Sequence, residues 1–336
     1  EPTAVLVPQE VDDLFNALKG LRAEGMAIIF ISHKLDEVLR VADDVTVVRA
    51  GSTVAQVKSK DVTARELAEL MVGSELPQPT TQGDTRRPEV TLSLKDVSVP
   101  TKSGSRDLIS HISFDLQAGE VIGIAGVEGN GQAELVEAIM GLREYTGQIE
   151  FKGENIDHYT VAHRHDAGIG LIPEDRQRQA LMMNSPLWEN RILGHQRSKP
   201  VMRGFILDKK ATIADTRVIM DEFDVRAPGP HTLATALSGG NQQKFIVGRE
   251  MSKAPALLVA SHPTRGVDVG AQAAIWDELR GAREKGMAIV LISADLEELI
   301  GMSDRLLVML RGAITAELNP QKTTPEQLGS AMTGAQ

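Results

Sequence analysis

The stretch ALSGGNQQKFIVGRE at residues 236–250 joins a serine–glycine turn to an amphipathic helix. Ser238, Gly239 and Gly240 are expected to present a hydroxyl and bare backbone amides at the N-terminus of this helix, where the helix dipole favours a phosphate group. The stretch lies downstream of a glycine-rich loop at 126–131 and upstream of a strand-sized apolar run. This order of elements predicts an α/β domain that binds phosphate groups.

The glycine-rich loop follows the apolar run EVIGIAG, which predicts a buried strand. The candidate nucleotide contacts here are Gly126, Gly129, Asn130, Gly131, Gln132, Ala133 and Glu134. A working phosphate loop reads G-x-x-x-x-G-K-[ST], but Gln132 replaces the lysine, Ala133 replaces the magnesium-binding hydroxyl and Glu134 adds a negative charge. We therefore expect no hydrolysis at this loop and at most weak nucleotide binding. Taken alone, the glycine pattern is equally typical of a turn in an unrelated α/β protein.

An internal repeat relates the two ends of the chain. GMAIIFISHKLDEV at 25–38 matches GMAIVLISADLEEL at 286–299 without a gap, which indicates two homologous segments. Each copy reads as a helix, a buried strand, a helix and a second strand, with AIIFIS at 27–32 as the buried strand of the first copy. Alternating helices and strands predict a parallel sheet that is covered on both faces.

The repeat and the local composition divide the chain into domains. Residues 1–73 are predicted to be the C-terminal portion of a first domain, followed at 74–91 by a linker that is rich in Pro, Thr and charge. Residues 92–336 are predicted to form a second domain, in which a mostly helical subdomain at about 155–235 interrupts the alternating pattern. The chain starts at Glu1 without a Met or a signal peptide, and we expect it to be an N-terminally truncated fragment.

The composition argues against several classes of function. A net charge of −10 argues against a nucleic-acid partner, because neutralising phosphates requires clustered Lys and Arg. The chain has no Cys, so disulfides and thiolate metal sites are excluded, and no metal ligands are predicted. The longest apolar runs are strand-sized and too short to span a bilayer, so no direct membrane insertion is expected.

LSGG at 237–240 resembles the signature motif of ABC ATP-binding proteins. ALLVASHPTRGVDVGA at 256–271 resembles the Walker B strand and D-loop of the same family, with Asp268 in the D-loop. The resemblance covers essentially the whole chain. It implies an α/β, ABC-type P-loop nucleotide-binding domain with a parallel sheet core, an antiparallel β subdomain and a helical insertion. The same resemblance implies that this domain is preceded by the C-terminal part of a second such domain.

Three residues of the second domain depart from the family pattern. Ser261 stands where the family has the magnesium-linked Asp, and His262 stands where it has the catalytic Glu. Ala294 fills the position of the switch histidine. Together with the lysine-free loop, these changes imply that the second domain has a catalytically dead site of its own.

The first copy carries the catalytic groups that the second lacks. Glu1 and His33 are in register with His262 and Ala294, and the resemblance assigns them to water activation and to a γ-phosphate contact. In this family each ATP lies between the phosphate loop of one domain and the signature of the other. The residues of this chain implied at the competent site are Glu1, His33, Ser238, Gly239, Gly240 and Gln242. ATP and Mg²⁺ are expected there in the full-length protein, whereas the chain alone is expected to be inactive.

IPEDRQR at 172–178 and EFDVRAPGPHTLATALSGGNQQK at 222–244 resemble, most closely, tandem ATP-binding subunits of bacterial simple-sugar and nucleoside importers. The lysine-free loop and the HPT replacement favour the nucleoside branch. The resemblance implies permease subunits as partners, a solute-binding lipoprotein as an indirect partner, and a peripheral location at the cytoplasmic face of the plasma membrane. It places Glu174 at the loop that couples nucleotide state to the permease. Trp188 is implied to lie in a helix that docks on the permease, but it is equally typical of a packed core residue.

Two other interpretations stay open from the sequence. One is a soluble, non-transport tandem ABC ATPase that acts on ribosomes or DNA, although such proteins usually need two competent sites and a basic surface. The other is a regulatory nucleotide-binding module. The transported solute, sugar or nucleoside, is not determined because specificity resides in the permease and the binding protein.

Overall fold

The computed structural model describes residues 8–32, 35–49, 51–72, 83–101 and 107–334. The chain divides into two compact units, Glu1–Pro77 together with Asp268–Ala273, and Gln78–Val267 together with Ala274–Gln336. The N-terminal elements are α1 (Pro8–Ala23), α2 (Leu35–Val41), β1 (Asp44–Arg49), β2 (Ser52–Lys58) and α3 (Ala64–Val72).

The N-terminal helices and the β1–β2 hairpin each bury one face. Val11 and Phe15, four residues apart on α1, are both buried, as residues on one helical face should be. In the antiparallel hairpin Val47 is buried between exposed neighbours, and Leu67 of α3 is fully buried. The helices and the second strand predicted for the first copy of the repeat are thus confirmed.

From residue 83 onward the chain contains the strands and helices of the larger unit, apart from Asp268–Ala273, which belongs to the smaller unit. The strands are β3 (Val90–Pro100), β4 (Asp107–Gln117), β5 (Val121–Ala125), β6 (Thr146–Phe151), β7 (Glu154–Asn155), β8 (Ile169–Ile172), β9 (Met202–Arg203), β10 (Ile206–Leu207), β11 (Leu257–Ser261), β12 (Ala288–Ile292), β13 (Arg305–Leu310) and β14 (Ala313–Leu318). The helices are α4 (Gln132–Met140), α5 (Val161–Ala167), α6 (Leu187–Asn190), α7 (Lys209–Glu222), α8 (Gly239–Met251), α9 (Val269–Glu284), α10 (Leu296–Met302) and α11 (Pro325–Thr333).

A six-stranded sheet with the order β14-β13-β5-β12-β11-β8 forms the centre of the larger unit. The strands from β13 to β8 pair in parallel, and β14 closes one edge antiparallel to β13. Every residue of β5, β11 and β12 is buried, as expected for strands that are covered on both faces. The predicted α/β fold with a parallel sheet core is confirmed.

The buried strand predicted at 27–32 is wrong for the first copy of the repeat. These residues form no strand, and Ile29 and Ile31 are 92% and 74% exposed. In the second copy the matching run is β12, which pairs with β5 on one side and β11 on the other. No strand of the described N-terminal residues lies beside 27–32. Because a parallel strand depends on hydrogen bonds from its neighbours, the same apolar run stays unpaired here.

An antiparallel sheet with the order β4-β3-β6-β7 shares its core with the parallel sheet. The shared hydrophobic cluster joins Leu94 and Ile112 of the antiparallel sheet to Ile124 of β5 and to Leu135 and Ile139 of α4. This packing fixes the start of α4, and therefore the glycine-rich loop, beside the end of β5.

The region predicted to be a helical subdomain, at about 155–235, contains α5, α6 and α7. It also contains β8, which pairs with β11 in the main sheet. Since β5, β8, β11 and β12 are parallel, their carboxyl ends meet at one edge of the sheet, where ligands of open α/β sheets usually bind. None of the described helices is both long and apolar enough to cross a bilayer.

Candidate functional site

Three glycines shape the loop between β5 and α4. Gly129 and Gly131 adopt φ angles of 88° and 108°, a left-handed region that strains residues with a side chain. At Gly126 a Cβ atom would lie 2.4 Å from Gln132 Nε2 and 2.7 Å from the Met309 carbonyl oxygen. The loop therefore has the tight backbone curvature that phosphate loops use.

Side-chain amides fill the inside of this loop. The Val127 carbonyl oxygen accepts hydrogen bonds from Asn130 Nδ2 at 2.9 Å and from Gln132 Nε2 at 3.2 Å. Asn130 Oδ1 accepts from the Arg311 backbone N–H at 2.7 Å, which ties the loop to the β13–β14 turn. Gln132 is only 9% exposed. The loop is thus held by its own neutral amide groups.

The residues of the loop do not fit a magnesium-bound triphosphate. Gln132 is a neutral donor that is already bonded to the loop, whereas a charge-assisted bond to phosphate is roughly twice as strong. Ala133 has no hydroxyl, and Glu134 places a carboxylate in the first turn of α4, where it repels a phosphate group. At the end of β11 the neutral Ser261 is buried. This set of groups argues against hydrolysis at the loop.

His262 and Ala294 are joined by a hydrogen bond. The backbone N–H of Ala294 donates to His262 Nδ1 at 3.3 Å. Burial lowers the pKa of His262; Glu174 and Glu128 act against this shift, and Arg265 adds to it. The ring is therefore neutral at pH 7, with its proton on Nε2 because Nδ1 accepts. A neutral ring held in this way is a poor replacement for a catalytic carboxylate.

Ser238 is exposed and forms the N-cap of α8, a helix of 13 residues. Its Oγ accepts from the Asn241 side-chain amide at 3.0 Å and from the Asn241 backbone N–H at 3.4 Å. At Gly239 a Cβ atom would lie 2.6 Å from Arg176 Nη2 and 2.9 Å from the Gly266 carbonyl oxygen. Arg176 and Gly266 therefore pack tightly against the turn at Gly239, while Ser238 is exposed on the surface.

Gly240 and Gln242 lie behind the surface that Ser238 occupies. Gly240 is buried, and Gln242 is only 4% exposed. The Gln242 side-chain amide donates to the carbonyl oxygens of Ala234 at 3.0 Å and Leu237 at 3.4 Å. Gln242 thus supports the turn before the signature, and its role as a phosphate contact stays a prediction.

Arg176 links the signature helix to the turn after β11, and the sequence pattern does not reveal this role. Its Nη1 donates to the Arg265 carbonyl oxygen at 2.6 Å, and its Nη2 donates to that of Gly266 at 3.1 Å. Its Nε donates to Gln242 Oε1 at 3.4 Å. The available signal was the place of Arg176 in IPEDRQR at 172–178, a charged segment next to β8.

Three further predicted residues form contacts outside the loop and the signature turn. Glu174 forms an ion pair with Arg265. Asp268 is exposed, and its carboxylate accepts from a backbone N–H in the first turn of α9. Trp188 is 8% exposed, and Lys209 Nζ lies 4.6 Å from the centre of its ring, which is typical of a packed residue.

A buried glutamate, Glu298, supports the turn after β11 and is missed by motif matching. Its Oε1 accepts from Thr264 Oγ1 at 2.9 Å and from Trp276 Nε1 at 2.7 Å. Burial raises the pKa of Glu298. The available signal was the repeat, which aligns Glu298 with Glu37.

Glu1 and His33, the two predicted catalytic residues, lie outside the described residues. Their roles therefore stay predictions.

The profile of a family described as ABC transporter matches residues 109–265. The match begins in β4 and ends in the turn after β11. It therefore contains the glycine-rich loop, the helical region and the signature helix.

The chain is similar to ATP-binding proteins of importers. It is 41% identical over 335 residues to the nucleoside import ATP-binding protein NupA of Lactococcus lactis subsp. cremoris, a match that covers 99% of the chain and 66% of that protein. It is 41% identical over 336 residues to the guanosine import ATP-binding protein NupO of Bacillus subtilis, with 100% and 66% covered. It is 41% identical over 337 residues to the glucose import ATP-binding protein TsgD13 of Haloferax volcanii, with 99% and 61% covered. The chain thus spans just under two thirds of the length of these relatives.

The chain is similar in fold to solved ATP-binding cassettes of ABC transporters. A cassette in its ADP conformation aligns with a TM-score of 0.59 at 20% identity, over 73% of the chain and 95% of that structure. A dimeric cassette in a post-hydrolysis state with ADP and Pi aligns with a TM-score of 0.59 at 20% identity, over 69% of the chain and all of that structure. At this identity the likeness concerns the fold, and it confirms the predicted ABC-type class.

Proposed function

Because the larger unit of the chain belongs to the ABC transporter family, we propose that the chain is part of the ATP-binding subunit that powers an importer of nucleosides or simple sugars. In this proposal the larger unit does not hydrolyse ATP. It contributes a signature surface, the exposed Ser238 with the start of α8 at Gly239 and the buried Gly240, to a nucleotide held by the phosphate loop of another ABC domain.

The proposal depends on a difference between the N-termini of α4 and α8: the backbone amides of one are open to a ligand, and a side chain fills the other. At α8 the amides of Gly239 and Gly240 begin the helix and have no acceptor inside it, so they are suited to a phosphate. At α4 the side chain of Gln132 is buried and bonded to the Val127 carbonyl oxygen. One surface is available to a phosphate, whereas the other is filled by a side chain of its own.

The competent site, in this proposal, combines that signature surface with Glu1 and His33. ATP bound with Mg²⁺ supplies the phosphoryl group that is transferred to water. Glu1 orients and deprotonates the attacking water, and His33 donates to the γ-phosphate. The register of these residues with His262 and Ala294 supports the assignment.

The partners we propose are transmembrane permease subunits and, indirectly, a solute-binding lipoprotein. They would place the protein at the cytoplasmic face of the plasma membrane. The import functions in the names of the relatives support this arrangement. Nucleosides are the favoured solute class, because two of the relatives at 41% identity are named for nucleoside and guanosine import.

ATP turnover of the importer, assembled from the complete ATP-binding protein and its permease, tests the division of labour. We expect Glu1→Gln to lower turnover about 100-fold or more, since it removes the base that activates water. The matched change His262→Gln should leave turnover within about twofold, because the ring is neutral and held by Ala294. Loss of turnover with His262→Gln, and not with Glu1→Gln, would assign hydrolysis to the larger unit and contradict the proposal.

The solute class needs a separate measurement. Stimulation of ATP turnover is measured for the complete importer with its binding protein, first with a mixture of nucleosides and then with ribose or glucose. We expect stimulation by nucleosides only. Stimulation by a sugar alone would leave the importer function standing and overturn the preference for nucleosides.

A further inference from the structure

A buried group of three potential metal ligands lies at the end of α8 that is opposite to Ser238. His165 comes from α5, His195 follows α6, and Glu250 is in the last turn of α8. His165 Nε2 lies 3.5 Å from Glu250 Oε2, and the two imidazole rings meet edge to face with their centres 5.0 Å apart. One donor atom from each residue falls within 4.8 Å of the other two.

The polar atoms of this group are short of partners. Within the described part of the chain, His165 Nδ1 and both ring nitrogens of His195 are buried without a hydrogen bond. His195 is 1% exposed and Glu250 is 6% exposed. A buried polar atom without a hydrogen-bond partner destabilises the fold, so three at one place indicate that the group is suited to bind a ligand.

The backbone around His195 brings the rings together. Gly194 has a φ of 77°, and a Cβ atom there would lie 2.9 Å from His165 Nε2. Only glycine therefore allows the ring of His165 to pack this close to the segment that carries His195.

The cations near the group have anionic or solvent partners. Arg249 Nε donates to Glu250 Oε1 at 2.9 Å, which leaves Oε2 directed towards the histidines. Arg191 forms a buried ion pair with Asp215 through its Nε, although its Nη1 is buried without a hydrogen bond. The side chain of Lys253 is on the surface. Glu250 Oε2 accepts one long hydrogen bond, from the Leu171 backbone N–H at 3.4 Å, and its second lone pair is directed towards the histidines. This oxygen and the ring nitrogens can therefore still bind a ligand.

We propose that His165, His195 and Glu250 bind one divalent transition-metal ion of the zinc type. Two imidazoles and one carboxylate are a donor set that zinc uses in proteins, and bonds of about 2.0–2.1 Å space tetrahedral ligands roughly 3.3 Å apart. The separation between His165 and Glu250 already matches this spacing. Side-chain rotation of His195 completes the set. The ion joins α5, the segment after α6 and α8, so its role is to fix the helical region to the signature helix.

The test is a titration of the purified, tag-free chain with Zn²⁺ in competition with a chromophoric chelator. We expect one bound ion per chain, and a loss of affinity of at least tenfold in His195→Ala and in Glu250→Gln, since each change removes a ligand. His163→Ala is the matched control because His163 is an exposed histidine in the same helix as His165, and it should bind like the unaltered chain.

A second measurement does not depend on the folding of the variants. Co²⁺ added to the unaltered chain should give the intense visible bands of a tetrahedral site, and Zn²⁺ should raise the Tm while Mg²⁺ does not. Absence of both effects, or Zn²⁺ binding that His195→Ala and Glu250→Gln leave unchanged, would overturn the proposal.

Discussion

Helix α4 begins after a glycine-containing turn and α8 begins with two glycines, yet the two helix starts present opposite surfaces. At α4 the N-cap is Gly131, without a side chain, and the buried Gln132 bonds back to the loop. At α8 the N-cap is the exposed Ser238, whose hydroxyl is braced by Asn241. A glycine framework alone therefore does not make a phosphate site, because the side chains of the first turn decide which groups face a ligand.

The two helix starts also differ in charge. The first turn of α4 carries Glu134, whereas the first turn of α8 has no acidic residue. Beside α8, the guanidinium of Arg176 lies close to Gly239. Positive charge near a helix N-terminus adds to the helix dipole, so the field favours an anion at α8 more than at α4.

Adding a negative charge at the start of α8 should have the largest effect on function. Ser238→Glu places a carboxylate where the proposal puts a phosphate, and we expect ATP turnover of the complete importer to fall about 100-fold or more. The free energy of unfolding should fall by at most about 1–2 kcal/mol, because the lost N-cap hydroxyl is offset in part by the favourable position of an acidic residue at a helix N-terminus. Turnover is measured with a coupled assay, and folding with circular dichroism.

Ser252→Glu is the matched control for this change. Ser252 is exposed at the opposite end of α8, and its replacement should leave turnover unchanged. Normal turnover with Ser238→Glu would remove the signature surface from the mechanism and erase the functional contrast between α4 and α8.

The tight packing beneath the start of α8 should appear as a loss of stability. In Gly239→Ala the new methyl group would meet Arg176 Nη2 and the Gly266 carbonyl oxygen, and we expect the free energy of unfolding to fall by about 1–3 kcal/mol. Gly281→Ala is the control within α9, where a Cβ atom has no neighbour within 4 Å, and it should add about 0.5–1 kcal/mol. Urea unfolding measures both changes. Equal stability of Gly239→Ala and the unaltered chain would show that the helix start is loosely packed.

Restoring the phosphate-binding residues of the loop before α4 should make the N-terminus of α4 bind phosphate better, and so bring it closer to that of α8. Gln132→Lys combined with Ala133→Ser restores the charged donor and the hydroxyl, and we expect the affinity of the chain for ATP with Mg²⁺ to rise about tenfold. Turnover should not appear, because Ser261 and His262 remain. Calorimetric titration measures the affinity. Glu134→Gln alone should give a smaller gain, and turnover in the double variant would contradict the conclusion that several groups are missing.

The sequence predicted the fold well where local patterns determine the element. The uniformly apolar runs of β5 and β12 predicted buried strands, and both are fully buried. Residues 27–32 have almost the same amino-acid sequence as residues 288–293, which contain β12 (AIIFIS against AIVLIS), but they form no strand. A sequence pattern shows that a segment suits a strand, but the neighbours that complete its hydrogen bonds decide whether the strand forms.

The sequence predicted the parts of the site whose residues are adjacent in the chain. The loop and the Ser238 turn were recognisable because each is a short motif. Arg176 was not recognisable, because its guanidinium donates to the carbonyl oxygen of Gly266, 90 residues later in the chain. Glu298 likewise accepts a hydrogen bond from Thr264, which lies far from it in the chain. Contacts of this kind depend on the order of strands in the sheet, which no local pattern records.

The smallest expected effect concerns His262, which stands beside the loop that α4 follows. Its pKa is lowered in the folded chain below the ordinary value of about 6.5, so the unfolded chain binds the proton first. The contribution of His262 to stability is therefore complete above that value and declines as the pH falls below it.

Urea unfolding of the unaltered chain and of His262→Gln, between about pH 7.5 and pH 5.5, isolates this contribution. Glu174, Arg265 and Glu128, which act on the ring, are present in both proteins, so their own titration largely cancels in the comparison. We expect the free-energy difference in favour of the unaltered chain to shrink as the pH falls, because a protonated ring cannot accept from the Ala294 N–H. A difference that stays constant with pH would mean that the ring is not held neutral. His262 would then be available as a proton donor beside the loop, and the contrast between a closed start at α4 and an open start at α8 would weaken.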